Sequence, residues 1–287
     1  MFNRMVVALD GSLEARSAGL VGLRIAARFR CEIMGLSVID VRVVEGPAVE
    51  TLAPLWGEVT GRPFQPEVMR LYQERAETTV ADFERAAESF GVSVVDRRVD
   101  IGVADETILE QAVRADLLVM GRRGEHAGFG SQVVGATLSR VLHRSPCPVL
   151  VAGHRNPDGD EVTEGGEVPR FPLVAWDCSP GGRAALRLAM GYASATDCAL
   201  KVVHAGSESA DSGMDEAHEM LAATGVAWES VRLDAQPAEA VAEAKNRWGT
   251  DCLFMGAFGR GRLRGLLFGS RTAEILERIA GPVFVAP

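Results

Sequence analysis

The chain carries its own pattern twice, and that repetition limits its fold more than any other feature. Val6-Val7-Ala8-Leu9-Asp10-Gly11-Ser12 is matched by Leu173-Val174-Ala175-Trp176-Asp177-Cys178-Ser179, 167 positions later. Leu118-Val119-Met120-Gly121-Arg122-Arg123-Gly124 is matched by Leu253-Phe254-Met255-Gly256-Ala257-Phe258-Gly259, 135 positions later. Cys147-Pro148-Val149-Leu150-Val151-Ala152 is matched by Gly281-Pro282-Val283-Phe284-Val285-Ala286, 134 positions later. Three matches in one order mean two copies of one domain. The expected units are 1–153 and 171–287. Between them, residues 154–170 are polar, rich in Gly, Pro and acidic residues, and without apolar period, as a linker should be. The first drop in offset places extra length in the first copy, within 43–75. The second adds one residue to the first copy's glycine loop.

Each copy alternates strand-like and helix-like stretches. In the first, Met5–Leu9 reads as a strand, and Ser12 can cap a helix to about Phe29 with Leu20, Leu23 and Ala27 on one face. Ile33–Val38 is the next strand. Residues 45–66 hold Pro47, Pro54 and Pro63 and read as an irregular excursion. A long helix follows, with Ala76, Val80, Phe83, Ala87 and Phe90 at a 3.6 period. Val92–Val99, a helix near 106–113, Leu117–Met120, a helix near 137–143 and Val149–Ala152 complete the unit. The second copy repeats the plan with shorter connections, its first helix starting near Pro180 and burying Ala185, Leu188 and Ala189. Strands separated by such helices predict parallel sheets covered on both faces.

Composition narrows the function classes. The net charge of −9 argues against broad binding to nucleic acid or an anionic membrane. No apolar run approaches the roughly 18 residues of a membrane span, and the N-terminus lacks a signal-peptide layout, so a cytoplasmic protein is expected. Five scattered cysteines without C-x-x-C spacing fit a reducing compartment and predict neither a disulfide framework nor a structural zinc site.

Function should reside where glycine loops follow strands. In open α/β sheets, ligands sit outside the carboxyl ends of the strands, near a switch in strand order. Asp10 and Asp177 end first strands, and the loops opening at Gly121 and Gly256 end later ones, on the same rim. Glycines let backbone approach closely, and the N–H groups of a following helix point at an anion. In the second copy Ser270 adds a hydroxyl, and Arg260, Arg262, Arg264 and Arg271 surround the loop. The aspartates can bind a ribose hydroxyl or adenine amine, or merely cap the next helix. Their recurrence beside a glycine loop favours the ligand role.

These features resemble those of the universal stress proteins, and the resemblance, to two such domains in tandem, covers nearly the whole chain. Nucleotide-binding members carry Gly-x2-Gly-x9-Gly-Ser/Thr, which Gly256, Gly259, Gly269 and Ser270 reproduce. The resemblance implies two Rossmann-like (adenine nucleotide α-hydrolase-like) α/β domains, each with a five-stranded, mostly parallel sheet. It implies ATP, with magnesium as a companion of its phosphates, bound by the loop, by Asp177 and by backbone at Ala205; the first copy's equivalents are Asp10 and Val38. The first loop departs from the pattern. Gly121, Gly124 and Gly135 are present, but the spacing is one residue longer and Ala136 replaces the hydroxyl residue. That loss costs about 1–2 kcal/mol against a charged ligand, which Arg122 and Arg123 would offset in part. The second copy is therefore expected to hold the principal site and the first an altered one. In the family the final edge strands pair across a dimer, so here the copies are expected to pair within one chain, with a homodimer of the full chain left open.

No dedicated catalytic set emerges. The five histidines do not recur between copies or show metal-ligand spacing, and no base completes the Asp–Ser pairs. Trp176 and Trp248 read as core aromatics and Cys178 as a small buried filler. The expected function is an ATP-binding, stress-linked sensor or regulator with at most weak hydrolysis. The alternatives are an interaction scaffold or a binder of another small molecule with vestigial nucleotide sites.

Overall fold

The computed structural model describes residues 1–44, 64–124, 134–153, 166–206, 212–257 and 270–287. The first half consists of β1 (Arg4–Leu9), α1 (Leu13–Phe29), β2 (Glu32–Asp40), a short α2 (Val41–Val44), α3 (Phe64–Ser89), β3 (Val94–Gly102), α4 (Ala104–Ala112), β4 (Leu117–Gly121), α5 (Ala136–Arg144) and β5 (Val149–Ala152). The second consists of β6 (Pro172–Trp176), α6 (Pro180–Thr196), β7 (Leu200–Ala205), α7 (Ser212–Ala222), β8 (Trp228–Leu233), α8 (Pro237–Trp248), β9 (Cys252–Gly256), α9 (Ser270–Arg278) and β10 (Val283–Ala286). The excursion expected over 45–66 lies largely outside the described residues. Its last three residues already belong to α3.

The strands form one ten-stranded sheet in the order β3-β2-β1-β4-β5-β10-β9-β6-β7-β8. Each half is parallel and doubly wound, with its order reversing between the first and fourth strands, at β1/β4 and β6/β9. The halves join where β10 runs antiparallel to β5, with Phe284 opposite Leu150. The two five-stranded sheets expected from the repeat are therefore one continuous sheet.

Alternation along each strand divides the core by face. Val7, Leu9, Val119, Leu150, Trp176, Phe254 and Phe284 share one apolar layer, packed with residues of α1, α3, α6 and α7. Val6, Ala8, Met120, Val151, Leu253 and Val285 share the opposite layer, with residues of α4, α5, α8 and α9. Both layers cross the junction between halves. At its centre Phe254 and Phe284 stack with centroids 4.3 Å apart, and Tyr192 packs on both. Phe29 reaches Tyr192 from the first half, with ring centroids 5.7 Å apart. Tyr192 donates its hydroxyl hydrogen to the Pro169 carbonyl (2.8 Å), which satisfies the polar end of a buried ring.

Local chemistry starts the helices as the sequence suggests. Ser12 Oγ accepts from Ala15 N–H (3.1 Å), and Ser179 Oγ from Gly182 N–H (2.9 Å). Ala27, assigned above to the buried face of α1, is exposed, and Ala18 and Ala26 take that face with Leu20 and Leu23. Leu188 is only half-buried in α6. The largest departure from the repeat is in length: α3 has 26 residues and α7 has 11. Among the described residues, no helix is long and apolar enough to cross a membrane.

Candidate functional site

A cavity of about 390 Å³ opens at the carboxyl ends of β1, β2 and β4, at the first half's reversal in strand order. That volume falls at the low end of small-molecule sites, roughly 300–1,000 Å³. Its walls are mainly apolar: Ala8, Leu36, Val38 and Met120 from the strands, Ile108 from α4 and Leu138 from α5. Asp10, Gly121, Gly124 and Gly135 meet at its polar end. Helix α3 closes one side with Tyr72, Arg75, Ala76 and Thr79.

Asp10 sits where the turn after β1 demands it. Its Oδ1 accepts from Ser12 N–H (3.0 Å), holding the turn, while a Cβ on Gly124 would lie 2.7 Å from Oδ2. Glycine there lets the loop backbone lie against the carboxylate without displacing it. At Gly121 a Cβ would lie 2.7 Å from Ala15 N, so this glycine also lets α1 start against the end of β4. Gly256 does the same, where a Cβ would lie 2.6 Å from Gly181 C. The glycine that opens each loop therefore has a packing role in both halves.

Gly135 is the N-cap of α5, with no side-chain hydrogen bond closing the helix end. Its N–H donates to the Arg122 carbonyl (3.0 Å), fixing the loop's exit against its entry. The two arginines expected to help bind phosphate are engaged elsewhere. Arg123 donates through Nε and Nη2 to Glu14 Oε1 (3.1 and 2.9 Å), and its backbone N–H to Glu14 Oε2 (2.7 Å). Arg122 turns from the cavity and donates through Nη2 to the carbonyls of Ile279 (2.8 Å) and Gly281 (3.4 Å), beyond the end of α9. Burial pulls its pKa below the ordinary arginine value, and its Nε is buried without a hydrogen-bond partner. Arg123 still lines the cavity, whereas Arg122 does not.

The second half is built differently at the corresponding strand ends. Trp176 stands where Leu9 does and is almost fully buried. Its Nε1–H donates to the Gly213 carbonyl at 2.6 Å, fastening the start of α7 over the strand ends. His204 stands where Ser37 does, since β1–β2 pairs Leu9 with Ser37 and β6–β7 pairs Trp176 with His204. Its Nδ1–H donates to the Trp176 carbonyl (2.8 Å), because a carbonyl can only accept. Cys178 lies under Gly213, where a Cβ would be 2.5 Å from Sγ. An Arg183–Glu216 pair further ties α6 to α7, with Nη2 2.8 Å from Oε2. Asp177 folds over its own helix: its Oδ1 accepts from Ser179 N–H (3.0 Å) and lies 2.4 Å from where a Gly182 Cβ would be.

Of the residues singled out by sequence, the structure brings Asp10, Val38, Gly121, Gly124 and Gly135 to one cavity. Asp177, Ala205 and Gly256 occupy the matching strand ends in the second half. Gly259, Arg260 and Gly269 lie outside the described residues. Ser270 begins α9, and Arg271 is exposed beside it. Sequence reasoning missed Tyr72, Arg75 and Thr79. Their spacing of three and four, flanking Ala76, was the available signal. Among the described residues, no group of three His, Cys, Asp or Glu side chains could hold a metal ion.

This arrangement, a doubly wound sheet with an aspartate and a glycine loop at its switch point, defines a Rossmann-like α/β protein. The profile of the Universal stress protein family matches residues 1–153 and 207–287, and the chain belongs to that family. A universal stress protein of Synechocystis is 23% identical over 290 residues, covering 97% of this chain and 98% of that one. One of Mycobacterium bovis is 26% identical over 303 residues, covering 98% and 96%. Among solved structures, a universal stress protein of Archaeoglobus fulgidus has a TM-score of 0.75 at 21% identity, covering 99% of this chain and 96% of that one. The likeness to that structure bears on the fold alone.

Proposed function

We propose that the chain binds an adenine nucleotide in the first-half cavity and acts as a nucleotide-responsive regulator in the stress response, not as a dedicated enzyme. The carrying observation is the convergence of Asp10, Gly124 and the N-terminus of α5 on one apolar-walled cavity. The apolar walls suit a purine. The Asp10 carboxylate can accept from ribose hydroxyls, and the amides at the start of α5 suit phosphate. Magnesium, where the phosphates carry it, would be held chiefly by the ligand. No described residue offers a base for hydrolysis with its partners in place.

This reading ranks the first half above the second, the reverse of the order expected from loop spacing. Side-chain volume supports it. Trp176 and His204 are larger than the Leu9 and Ser37 whose places they take, and α7 is fastened beside them. A family-matching loop at Gly256 can favour phosphate without leaving room for the base.

Calorimetry with adenine nucleotides on the wild type, Gly135→Val and Gly269→Val tests the ranking. At Gly135 a Cβ meets nothing closer than 3.5 Å and φ is −60°, so the variant should fold while its branches obstruct the loop. The expected result is a tenfold or greater loss of affinity with Gly135→Val and little change with Gly269→Val. The opposite pattern would move the principal site to the second half. No heat from the wild type would refute nucleotide binding.

A further inference from the structure

We propose that Cys178 is a site of covalent modification: a thiol that a small hydroperoxide oxidises to a sulfenic acid, with His204 as its base. The site lies in the second half and does not depend on the nucleotide reading. Three described non-glycine residues have positive φ. Arg30 and Asp197 (φ 56° each) close α1 and α6, where that conformation is ordinary. Cys178 (φ +60°) instead follows β6, at the position where the first half has Gly11 at φ +82°. The first half thus avoids the strain with glycine, and the second keeps a side chain against it. The surroundings of the sulfur supply a reason. A Cβ on Gly213 would lie 2.5 Å from Cys178 Sγ, 3.8 Å from His204 Cε1 and 3.9 Å from His204 Nε2. The thiol and that edge of the imidazole therefore border one space. His204 is 7% exposed, and its Nδ1–H is engaged by the Trp176 carbonyl, so Nε2 carries the ring's lone pair. Among the described residues, Nε2 has no hydrogen-bond partner.

The pair supports a balanced reaction. His204 Nε2 accepts the thiol proton, directly or through one water. The thiolate attacks one oxygen of the hydroperoxide, so that an S–O bond forms and the O–O bond breaks. Sulfur gives up two electrons to the peroxide, whose other oxygen takes the proton back from His204 and leaves as alcohol or water. Charged groups on the packed elements are Asp177 after β6, Arg183 of α6, Glu216 of α7 and Arg232, opposite His204 on β8. The Arg183 guanidinium is held above its ordinary pKa chiefly by Glu216, with smaller contributions from Cys178 and Asp177, so a cation lies within range of the thiolate. The other four cysteines compete poorly. Burial pushes the Cys31 thiol up to about 11 and raises those of Cys147, Cys198 and Cys252. Cys178 is only 8% exposed, which admits a small hydroperoxide rather than a second protein's thiol. The added oxygen would crowd Gly213, pushing the start of α7 outward and breaking its bond from Trp176 Nε1.

The test treats the reduced full chain with hydrogen peroxide and a sulfenic-acid trap, and reads each cysteine by peptide mass spectrometry. Wild type, His204→Gln and Cys178→Gly are compared. In the wild type, Cys178 is expected to be labelled about tenfold faster or more than any other cysteine, a selectivity that needs no variant to be read. His204→Gln should slow that labelling by about tenfold or more at neutral pH. The difference should shrink as alkali ionises the thiol without a base, whereas a purely structural histidine would leave a deficit independent of pH. Tryptophan fluorescence should change on oxidation of the wild type and stay constant in Cys178→Gly, where glycine keeps the turn. Labelling of Cys178 no faster than the other cysteines, or at a rate indifferent to His204→Gln, would overturn the proposal.

Discussion

Leu9 and Trp176 occupy the same place at the ends of equivalent strands, yet one borders a cavity and the other is buried with its indole N–H bonded to the start of α7. The backbone plans of the two halves agree. What differs is the helix standing above that position. In the first half, 26-residue α3 passes beside the strand ends and contributes a wall. In the second, 11-residue α7 is drawn down by the Trp176 hydrogen bond to Gly213, with no Cβ there to keep it away from Cys178. Both halves thus keep glycine at the entry of the loop, while the helix above the strands differs in length and attachment.

Four measurements would break or sharpen this comparison. The largest effect is expected at the shared junction. Phe284→Ala removes one of two stacked, fully buried rings and should cost about 3–5 kcal/mol. Because both core layers cross the junction, chemical denaturation should show a single transition by circular dichroism and by fluorescence. Two separated transitions would mean that the halves are energetically independent.

The exchange at the divergent position comes next. Trp176→Leu should destabilise by about 2–4 kcal/mol, from lost burial and the lost bond to Gly213. Its converse, Leu9→Trp, should abolish nucleotide heat by filling the first cavity. Retained binding in Leu9→Trp would show that this position does not control the site. A smaller change is expected for Arg122→Met, which strands the Ile279 carbonyl while removing an unsatisfied Nε. About 1–3 kcal/mol should be lost, and a null result would mean water replaces the guanidinium at that helix end.

The smallest effect concerns acid stability. Burial raises the Asp40 carboxyl, but the hydrogen bonds and charge of Arg42 outweigh it and hold the pKa below its ordinary value. The contribution is therefore present above the unfolded value near pH 4, and is lost as pH falls through the lower folded value. For a pair with Arg42 substantially exposed, under about 1 kcal/mol is at stake. Asp40→Asn should flatten that part of the acid limb, and an unchanged limb would place the acid sensitivity in other carboxylates.

Much of the fold was legible because its signals are local. Val6–Asp10 and Leu173–Asp177 announce buried strands ending at a turn, and Ser12 and Ser179 announce the helix starts that follow. The doubly wound order follows from strands alternating with helices. Continuity of the sheet was not legible from local pattern and came only with the family resemblance, because it depends on Phe284 facing Leu150 across a junction between distant segments. At the site, Asp10 and the glycines were legible as backbone requirements. The α3 wall was not: Tyr72, Arg75 and Thr79 flank the stripe through Ala76, Val80 and Phe83, and their polarity reads as a solvent face. Nor could spacing alone reveal that Glu14 takes Arg123 or that Arg122 crosses to the other half. Those assignments depend on which carboxylate or carbonyl stands nearby in space.

The antiparallel pairing of β5 with β10 has one more consequence. When two identical chains meet about a twofold axis, every substitution in one site is duplicated in the other, and neither can change alone. Here the meeting strands belong to a single covalent chain, so the axis is only approximate. Tryptophan can stand where the other half keeps leucine, and a helix can lengthen on one side only. Asymmetry is thereby heritable within one molecule, with both versions of the strand end always present in equal number.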